Sequence, residues 1–256
     1  ATLDAISQVS FNINTNAIEN PESPFPSAIR NYLLGSQANF ENPLPSIFLG
    51  IFQYKLFQNK TQKVQINATR FLRNFALDCI TTRRKDIGEN KNVPNDLLNL
   101  LINDGSLNMD EMIDEFITIF LAGQETTASS LGFMLYEILS NPHVETKLLN
   151  EINEVLGERE NVEFDDLPKL KYLGQVLEET LRLHPIGLAP SRMLKEDITV
   201  GGYQIPKGDG VASGSILLAM NPRIWKDPTI FDPERFADAG SIPNLSMIHF
   251  PFSVGP

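Results

Sequence analysis

The sequence predicts a mainly helical α+β fold in which short β hairpins are a minor part. Apolar residues recur at intervals of three and four over 61–85 and 109–140, which indicates two long helices. Helical patterns follow at 142–156 and 169–183, and a Gly201-Gly202 turn between two short apolar runs indicates a hairpin. A chain of 256 residues with 42% apolar content can bury a sizeable core.

Charge and composition exclude several classes of protein. A net charge of -11 argues against a nucleic-acid partner, which requires a basic face. Cys79 is the only cysteine and the three histidines lie far apart, so neither a disulfide framework nor a zinc-binding spacing is present. No apolar run approaches the roughly 20 residues that cross a bilayer, and no signal segment opens the chain.

Local composition adds three predictions outside the main helices. The prolines between 20 and 46 predict a connector around a short apolar-faced piece at 29–34. The apolar run 47–52 is interpreted as core or domain packing, with a membrane-dipping surface as the alternative. The cluster Arg83-Arg84-Lys85 is interpreted as a solvated helix end, with docking of an acidic partner or lipid surface as the alternative.

The helix at 61–85 is expected to bury one face. The residues of that face, spaced by three and four, are Val64, Ala68, Phe71, Phe75 and Cys79. Cys79 is therefore predicted to be a small buried apolar residue. The alternative, a ligand of iron, would need an exposed thiolate held by a loop, and the apolar face of a helix provides none.

The helix at 109–140 carries the strongest sign of function. Asn108 is placed to cap it with Glu111, and Asn141-Pro142 ends it. Apolar residues on both sides of its midpoint predict burial along most of its length. Against this background Gly123-Gln124-Glu125-Thr126-Thr127 is a polar interruption, which local sequence logic does not favour and which often marks a functional site.

Two charged residues share a face of the helix at 169–183. Glu179 and Arg182 lie three residues apart, which places them side by side. An exposed pair of this kind would contribute little to stability.

Four segments in a fixed order give the sequence a family resemblance. They are Ala122-Gly123-Gln124-Glu125-Thr126-Thr127, Glu179-Thr180-Leu181-Arg182, Pro233-Glu234-Arg235-Phe236 and the closing Phe250-Pro251-Phe252-Ser253-Val254-Gly255-Pro256. Together they resemble the cytochrome P-450 superfamily of haem-thiolate monooxygenases, and within it most closely the animal microsomal members of the cholesterol 24-hydroxylase type. The resemblance covers the whole chain. It implies that 1–256 are the central part of a single P-450-like domain, whose axial cysteine would lie beyond Pro256.

The resemblance implies a haem-dependent enzyme that hydroxylates an apolar small molecule. The substrate would be a sterol, a fatty acid or a xenobiotic, oxidised with O2 and two electrons from a reductase. The protein would lie on the cytosolic face of the endoplasmic reticulum membrane, held by an N-terminal anchor that these residues do not contain. The alternative is a non-catalytic helical interaction protein derived from the same fold, and the sequence beyond Pro256 would distinguish the two.

The resemblance also assigns roles to individual residues. Glu125 and Thr126 would be catalytic, supplying protons to dioxygen, and Ala122 and Gly123 would form the oxygen-binding groove, since a residue without a side chain gives room to a diatomic ligand. The remaining assignments are Arg192, Phe252 and Gly255 for haem binding, Glu179, Arg182 and Arg235 for a structural triad beneath the haem, and Phe116, Phe120, Leu188 and Ala189 for the substrate pocket. No ligand of iron is expected within the chain.

Two departures from the family pattern affect the proximal side. Ile186 replaces a frequent second proline, and Met220-Asn221-Pro222 stands where a histidine-containing turn is common.

Overall fold

The structure is a computed structural model that describes residues 1–41, 60–187 and 191–253. It divides into two compact units, whose boundary in sequence falls between Thr127 and Ala128. The apolar run at 47–52, Leu188, Ala189 and Gly255 lie outside the described residues.

Helices dominate both units, as the sequence predicts. The described helices are α1 (Thr2–Phe11), α2 (Pro24–Glu41), α3 (Lys60–Gly88), α4 (Leu97–Asn103), α5 (Met109–Ser140), α6 (Pro142–Leu156), α7 (Lys171–Leu183), α8 (Ser215–Ala219) and α9 (Leu245–Ile248), with 3₁₀ turns at Phe164–Lys169, Pro233–Phe236 and Ala239–Ser241. The strands are β1 (Ser191–Met193), β2 (Ile198–Val200), β3 (Tyr203–Ile205) and β4 (Gly210–Ala212). They form two antiparallel pairs, β1 with β4 and β2 with β3.

The predicted hairpin and the predicted cap of α5 are both confirmed. Gly201 and Gly202 have φ angles of 58° and 87°, which only glycine adopts without strain in a two-residue turn between strands. At the start of α5, the Asn108 backbone N–H donates to the Glu111 carboxylate at 2.8 Å, and the Glu111 N–H donates to the Asn108 side chain at 3.1 Å. This reciprocal capping box satisfies two backbone donors that the helix leaves unpaired.

The predicted connector between residues 20 and 46 is wrong in part, because α2 occupies most of it. The helix begins at Pro24, and Pro26 falls in its first turn, where a missing N–H costs nothing. The close approach of α2 to α3 depends on Gly35, since a Cβ there would overlap the side chain of Gln65. Gln65 also donates to the Ser36 hydroxyl at 3.1 Å.

The first unit encloses a core of aromatic and aliphatic side chains. Phe11 is fully buried at the end of α1, and its ring centroid lies 4.3 Å from that of Phe116 and 4.5 Å from that of Phe120 on α5. Phe25 from α2 completes the cluster with an edge-on contact to Phe120 at 5.1 Å. Offset and edge-on contacts are the preferred arrangements of aromatic rings.

The predicted buried face of α3 is only partly right. Ala68 is buried, but Val64 and Phe71 are exposed, while Phe75 and Cys79 are half-buried. The face that packs consists of Ala68, Leu72, Ala76 and Ile80. Two alanines in this row allow the neighbouring helices to approach closely, so the helix turns its small residues inward and leaves larger ones at the rim.

The prediction that Arg83 belongs to a solvated helix end is also wrong. Its guanidinium is almost fully buried and donates two hydrogen bonds to the Asp96 carboxylate, at 2.7 and 2.9 Å. A further bond of 3.1 Å reaches the carbonyl of Phe11. Asp96 caps α4 at the same time by accepting from the Asn99 N–H at 2.9 Å. The pair therefore joins α1, α3 and α4.

The second unit packs the end of α5 and α6 against α7. Its core contains Val144, Leu148, Tyr172, Val176 and Phe231, with Met134 and Ile138 of α5 packed against it. The expected burial of α5 along most of its length fails in this half, where Leu131, Leu135 and Leu139 are exposed. On α6, Leu148 is buried, whereas Leu149 is exposed.

The start of α7 is stabilised by a residue of α6. Leu170 stands at the cap position and provides no side-chain hydrogen bond. Instead the Glu151 carboxylate accepts from the N–H groups of Tyr172 and Leu173, at 2.6 and 2.9 Å. The negative charge also suits the positive end of the helix dipole. Burial, reinforced by the Glu234, Asp232 and Glu151 carboxylates, raises the pKa of Tyr172 to about 12.

The buried Arg83–Asp96 pair predicts a large difference between two aspartate substitutions. We expect Asp96→Ala to lower the free energy of unfolding by about 3 kcal/mol, because it leaves the buried Arg83 charge unpaired and uncaps α4. Asp110→Ala is the matched control, since Asp110 pairs with Arg73 but its side chain is 84% exposed. It should cost less than about 1 kcal/mol. Urea unfolding followed by circular dichroism measures both, and equal losses would contradict the structural account.

Candidate functional site

The second unit brings together the three charged residues predicted to form a triad. The side chains of Glu179 and Arg182 are both fully buried on α7. The Arg182 Nε donates to Glu179 Oε2 at 2.6 Å and its terminal nitrogen Nη2 donates to Oε1 at 2.8 Å, a bidentate pair. Arg235, from the 3₁₀ turn Pro233–Phe236, adds a third contact from its Nε to Glu179 Oε1 at 3.2 Å.

Backbone groups satisfy the remaining donors and acceptors of this network. The Asp232 N–H donates to Glu179 Oε1 at 2.9 Å. The Arg182 Nη1 donates to the carbonyls of Ala219 and Pro228, at 2.8 and 2.9 Å. Arg235 donates to carbonyls 226 and 227 in the same loop. Because two buried charges are costly unless every polar atom is paired, this complete set of partners allows them to stay buried.

Trp225 contacts the network formed by Glu179, Arg182 and Arg235. Its ring lies 5.5 Å below the guanidinium carbon of Arg182, within the range of a cation–π contact. It is the only tryptophan of the chain and it is buried. Its fluorescence therefore senses the position of Arg182.

The polar interruption in α5 belongs to a regular helix. Ala122, Glu125 and Thr126 are exposed and share one face. The Thr126 hydroxyl donates to the Ala122 carbonyl one turn earlier, at 2.6 Å. The helix continues through this segment, since α5 runs without a break from Met109 to Ser140. Glu125, Thr126 and Thr127 are accommodated because their side chains are exposed, whereas the side-chain oxygen of Gln124 is buried without a hydrogen-bond partner among the described residues.

Gly123 lies against α1. A Cβ at this position would lie 2.7 Å from the Cδ1 atom of Ile6, a distance that real side chains essentially never show. The glycine therefore permits the close packing of α1 against α5. The oxygen-binding groove at Ala122 and Gly123 stays a prediction.

Phe116 and Phe120, which the resemblance assigns to a substrate pocket, lie in the core of the first unit. Each ring is 1% exposed and packs against Phe11. Their spacing of four residues places both on the side of α5 away from the open face. Their assignment to a substrate pocket stays a prediction.

The residues predicted to bind haem are accessible where the structure describes them. Arg192 is exposed at the centre of β1, and its guanidinium donates to the Ser191 carbonyl at 3.0 Å. It is free to turn toward a carboxylate. Phe252 is 87% exposed.

Cys79 is unsuited to bind iron. Burial, helped by the nearby Asp78 charge, raises the pKa of its thiol from 9.0 to about 11. The sulfur is therefore protonated at neutral pH, whereas a metal ligand must be the thiolate. Among the described side chains, no group of three or more histidine, cysteine, aspartate or glutamate residues is arranged to hold a metal ion.

The sequence did not predict two histidine–carboxylate contacts. His184, at the end of α7, places its Nε2 2.6 Å from Glu137 Oε1 on α5. His249 places its Nε2 2.8 Å from Glu178 Oε2 beside a cavity of about 690 Å³ that α7 lines together with 236–253. Both pairs join residues distant in sequence, so no spacing rule could have indicated them.

The comparisons with known proteins agree with this arrangement. The family model of cytochrome P450 matches residues 1–256, the whole chain. The chain belongs to the cytochrome P450 family. Among its relatives are cytochrome P450 3A41 of Mus musculus, 31% identical over 275 residues, and cytochrome P450 3A6 of Oryctolagus cuniculus, 33% identical over 265 residues. All of this chain is covered in both alignments, against 52% of each relative.

Cytochrome P450 3A5 of Homo sapiens is a further relative, 30% identical over 269 residues. The chain thus spans about half the length of the curated relatives it matches. These three carry 3A names, and the particular resemblance to cholesterol 24-hydroxylases is not shown. Within the described ranges, no helix is both long enough and apolar enough to cross a membrane.

The described residues fit a haem on two counts. In the first unit, taken by itself, an open helix face at Ala122 and Thr126 suits a planar group. In the second unit, taken by itself, the exposed guanidinium of Arg192 suits a carboxylate such as a propionate. The candidates for the axial ligand fit less well. The Cys79 thiol is protonated, and His184 and His249 are engaged with carboxylates. The described part of the P450 chain therefore offers no thiolate to the iron.

The buried triad predicts that Arg182→Ala destabilises the second unit by about 3 to 5 kcal/mol, because the Glu179 carboxylate loses its bidentate partner. Lys169→Ala is the control, since Lys169 pairs with Asp166 through a side chain that is 58% exposed. Chemical unfolding followed by Trp225 fluorescence measures the loss. Similar stability of the two variants would show that the triad behaves as an ordinary surface pair.

The raised thiol pKa predicts slow alkylation of Cys79. At neutral pH the thiolate fraction is roughly 100-fold below that of a thiol with the ordinary pKa of 9.0, so reaction with iodoacetamide should slow by about that factor. The rate should rise with pH up to about 11. The urea-unfolded chain serves as the reference, and equal rates in the folded and unfolded chains would exclude the proposed burial.

Proposed function

We propose that this chain is part of a haem-dependent monooxygenase that inserts one oxygen atom of O2 into a C–H bond of an apolar small molecule. Two electrons and two protons convert the second oxygen atom to water, so the balanced reaction is R–H + O2 + two electrons + two protons giving R–OH + H2O. The main observation in support is the fully buried Glu179–Arg182 pair joined by Arg235, in a chain whose whole length matches the P450 family. A surface interaction module has no need of such a costly buried network.

The haem would supply the oxidising chemistry, and the chain would bind it and handle protons. Arg192 would hold a propionate through charge-assisted hydrogen bonds, and Phe252 and Gly255 would contribute to haem binding. The triad would keep this side of the second unit rigid, because it ties α7 to the irregular segment 219–235.

Proton delivery is assigned to the open face of α5. The Thr126 hydroxyl donates to the Ala122 carbonyl, and a hydroxyl is a group that can both donate and accept hydrogen bonds. Glu125, exposed on the neighbouring position, can exchange protons with solvent and pass them to the threonine. The two residues would thus form the last steps of a proton path to dioxygen, with Ala122 leaving room beside them.

Substrate class, electron donor and location follow from the family in general terms. The substrate would be apolar, such as a sterol, a fatty acid or a xenobiotic, which agrees with the apolar side chains of Leu188 and Ala189 in the sequence. A reductase would supply the electrons. We further propose that residues 1–256 belong to a single P450-like domain and that the whole protein resides on the cytosolic face of the endoplasmic reticulum membrane.

The full-length protein tests the proposed function directly. After haem loading, its reduced carbon-monoxide complex should show the strongly red-shifted Soret band that a thiolate ligand produces, and Cys79→Ser should leave this band unchanged. Absence of the band in folded full-length protein would favour the alternative, a non-catalytic helical interaction protein.

Thr126→Ala in the full-length enzyme should uncouple electron use from hydroxylation. Without the hydroxyl, proton delivery is misdirected and dioxygen leaves the site as hydrogen peroxide. We expect product formed per reduced cofactor to fall about tenfold, the effect of losing one contact worth roughly 1.4 kcal/mol. Thr127→Ala is the control, because its hydroxyl is adjacent in sequence but points in a different direction around the helix. This variant should keep the wild-type ratio of product to reduced cofactor.

Glu125→Gln should slow turnover with less peroxide release, since the amide keeps its shape but carries no proton to deliver. Product and peroxide are assayed together. Unchanged coupling in Thr126→Ala would remove the open face of α5 from the catalytic account.

A further inference from the structure

A histidine–glutamate pair connects the last turns of α5 to the end of α7. Glu137 is buried, and its Oε1 lies 2.6 Å from the Nε2 atom of His184. An ionised carboxylate only accepts hydrogen bonds, so the imidazole must carry its proton on Nε2 and donate it. The contact is short and partly buried, since the side chains of His184 and Glu137 are 23% and 9% exposed, which makes it stronger than a fully exposed pair of the same kind.

Other contacts hold both partners in place. The amide nitrogen of Asn141 donates to Glu137 Oε2 at 3.2 Å and to the Glu137 carbonyl at 2.8 Å. The His184 ring stacks on Phe133, with centroids 4.5 Å apart and planes only 1° from parallel. The imidazole is therefore fixed through its edge by Glu137 and through its face by Phe133.

His184 lies at the end of the helix that carries Glu179 and Arg182, so its contact with Glu137 affects the position of that helix. His184 is the C-terminal cap of α7, and its N–H donates to the Thr180 carbonyl at 2.8 Å. Arg182 lies two residues earlier and Glu179 five residues earlier on the same helix. Glu151 holds the opposite end of α7 through its first N–H groups. With both ends fixed, the helix cannot slide or rotate relative to α5 and α6.

We propose that Glu137 and His184 are a positioning pair, in which the α5 carboxylate orients the imidazole at the end of α7 and thereby fixes the place of the buried Glu179–Arg182 pair. Its importance for catalysis rests on the proposed role of the triad beneath the haem. The geometry of the Glu137–His184 pair does not depend on that proposed role, and it can be measured without haem. Neither residue touches substrate or cofactor in this account.

Substitutions can separate the hydrogen bond from the stacking. His184→Phe keeps a ring against Phe133 but removes the donor, which leaves the buried Glu137 carboxylate without its shortest contact. Glu137→Gln keeps an acceptor and removes the charge, while Glu137→Leu removes both. The double variant His184→Phe with Glu137→Leu replaces the whole pair with apolar groups, so no buried charge is left unpaired.

Two spectroscopic signals in the full-length protein, measured before haem loading, test the proposal. Nitrogen-15 NMR of the histidine ring should show the proton on Nε2. In His184→Phe the Trp225 emission should shift to the red, and the Arg182 Nε–H should exchange with solvent roughly tenfold faster, as expected for a loosened charge-assisted bond. Glu137→Gln should retain most of the wild-type signal, and the double variant should recover part of what His184→Phe loses.

The outcomes distinguish this proposal from simple packing and from the proposed function. Unchanged Trp225 emission and unchanged Arg182 exchange in folded His184→Phe would overturn the positioning role, as would a proton on Nδ1 alone. A full-length protein that shows these responses but no thiolate-type Soret band would keep the positioning pair and reject the monooxygenase.

Discussion

The second unit depends on keeping one carboxylate ionised in a place that water does not reach. Glu179 has no exposed side-chain surface, and an unpaired charge there would cost several kcal/mol. Its partners come from its own helix, from the backbone at Asp232 and from Arg235. Arg182 in turn donates hydrogen bonds to the carbonyls of Ala219 and Pro228. A segment with little regular structure thus becomes ordered, because its peptide groups complete the solvation of the two charges.

The predictions from the sequence that succeeded are those that rest on local rules. Helix positions follow from local rules, so the ends of α5, its cap and the glycine turn between β2 and β3 were all foreseeable. The meeting of Glu179 with Arg235 could not be derived in this way, because 56 residues separate them. Only the resemblance to known P450 motifs predicted that Glu179 and Arg235 are in contact, and it did not predict which atoms form the hydrogen bonds.

Predictions of burial failed where two faces of a helix were nearly equal in apolar character. On α3 the row through Phe71 and Phe75 is the more hydrophobic, yet the row through Ala68, Leu72 and Ala76 packs inward. Shape decided the outcome, since alanines allow close approach and phenylalanines do not. Gly123 shows the same effect, since its missing side chain makes room for Ile6. A sequence pattern records hydrophobicity but not the distance between neighbouring helices.

The cap that Glu151 provides to α7 has a consequence for the order in which the chain acquires its structure. A helix whose first N–H groups depend on another segment is weak until that segment is in place. Glu151 lies on α6, which precedes α7 in sequence, so during synthesis α6 leaves the ribosome before α7. The helix that carries Glu179 and Arg182 can then form against an existing template, and the two charges are withdrawn from water only once α7 has formed.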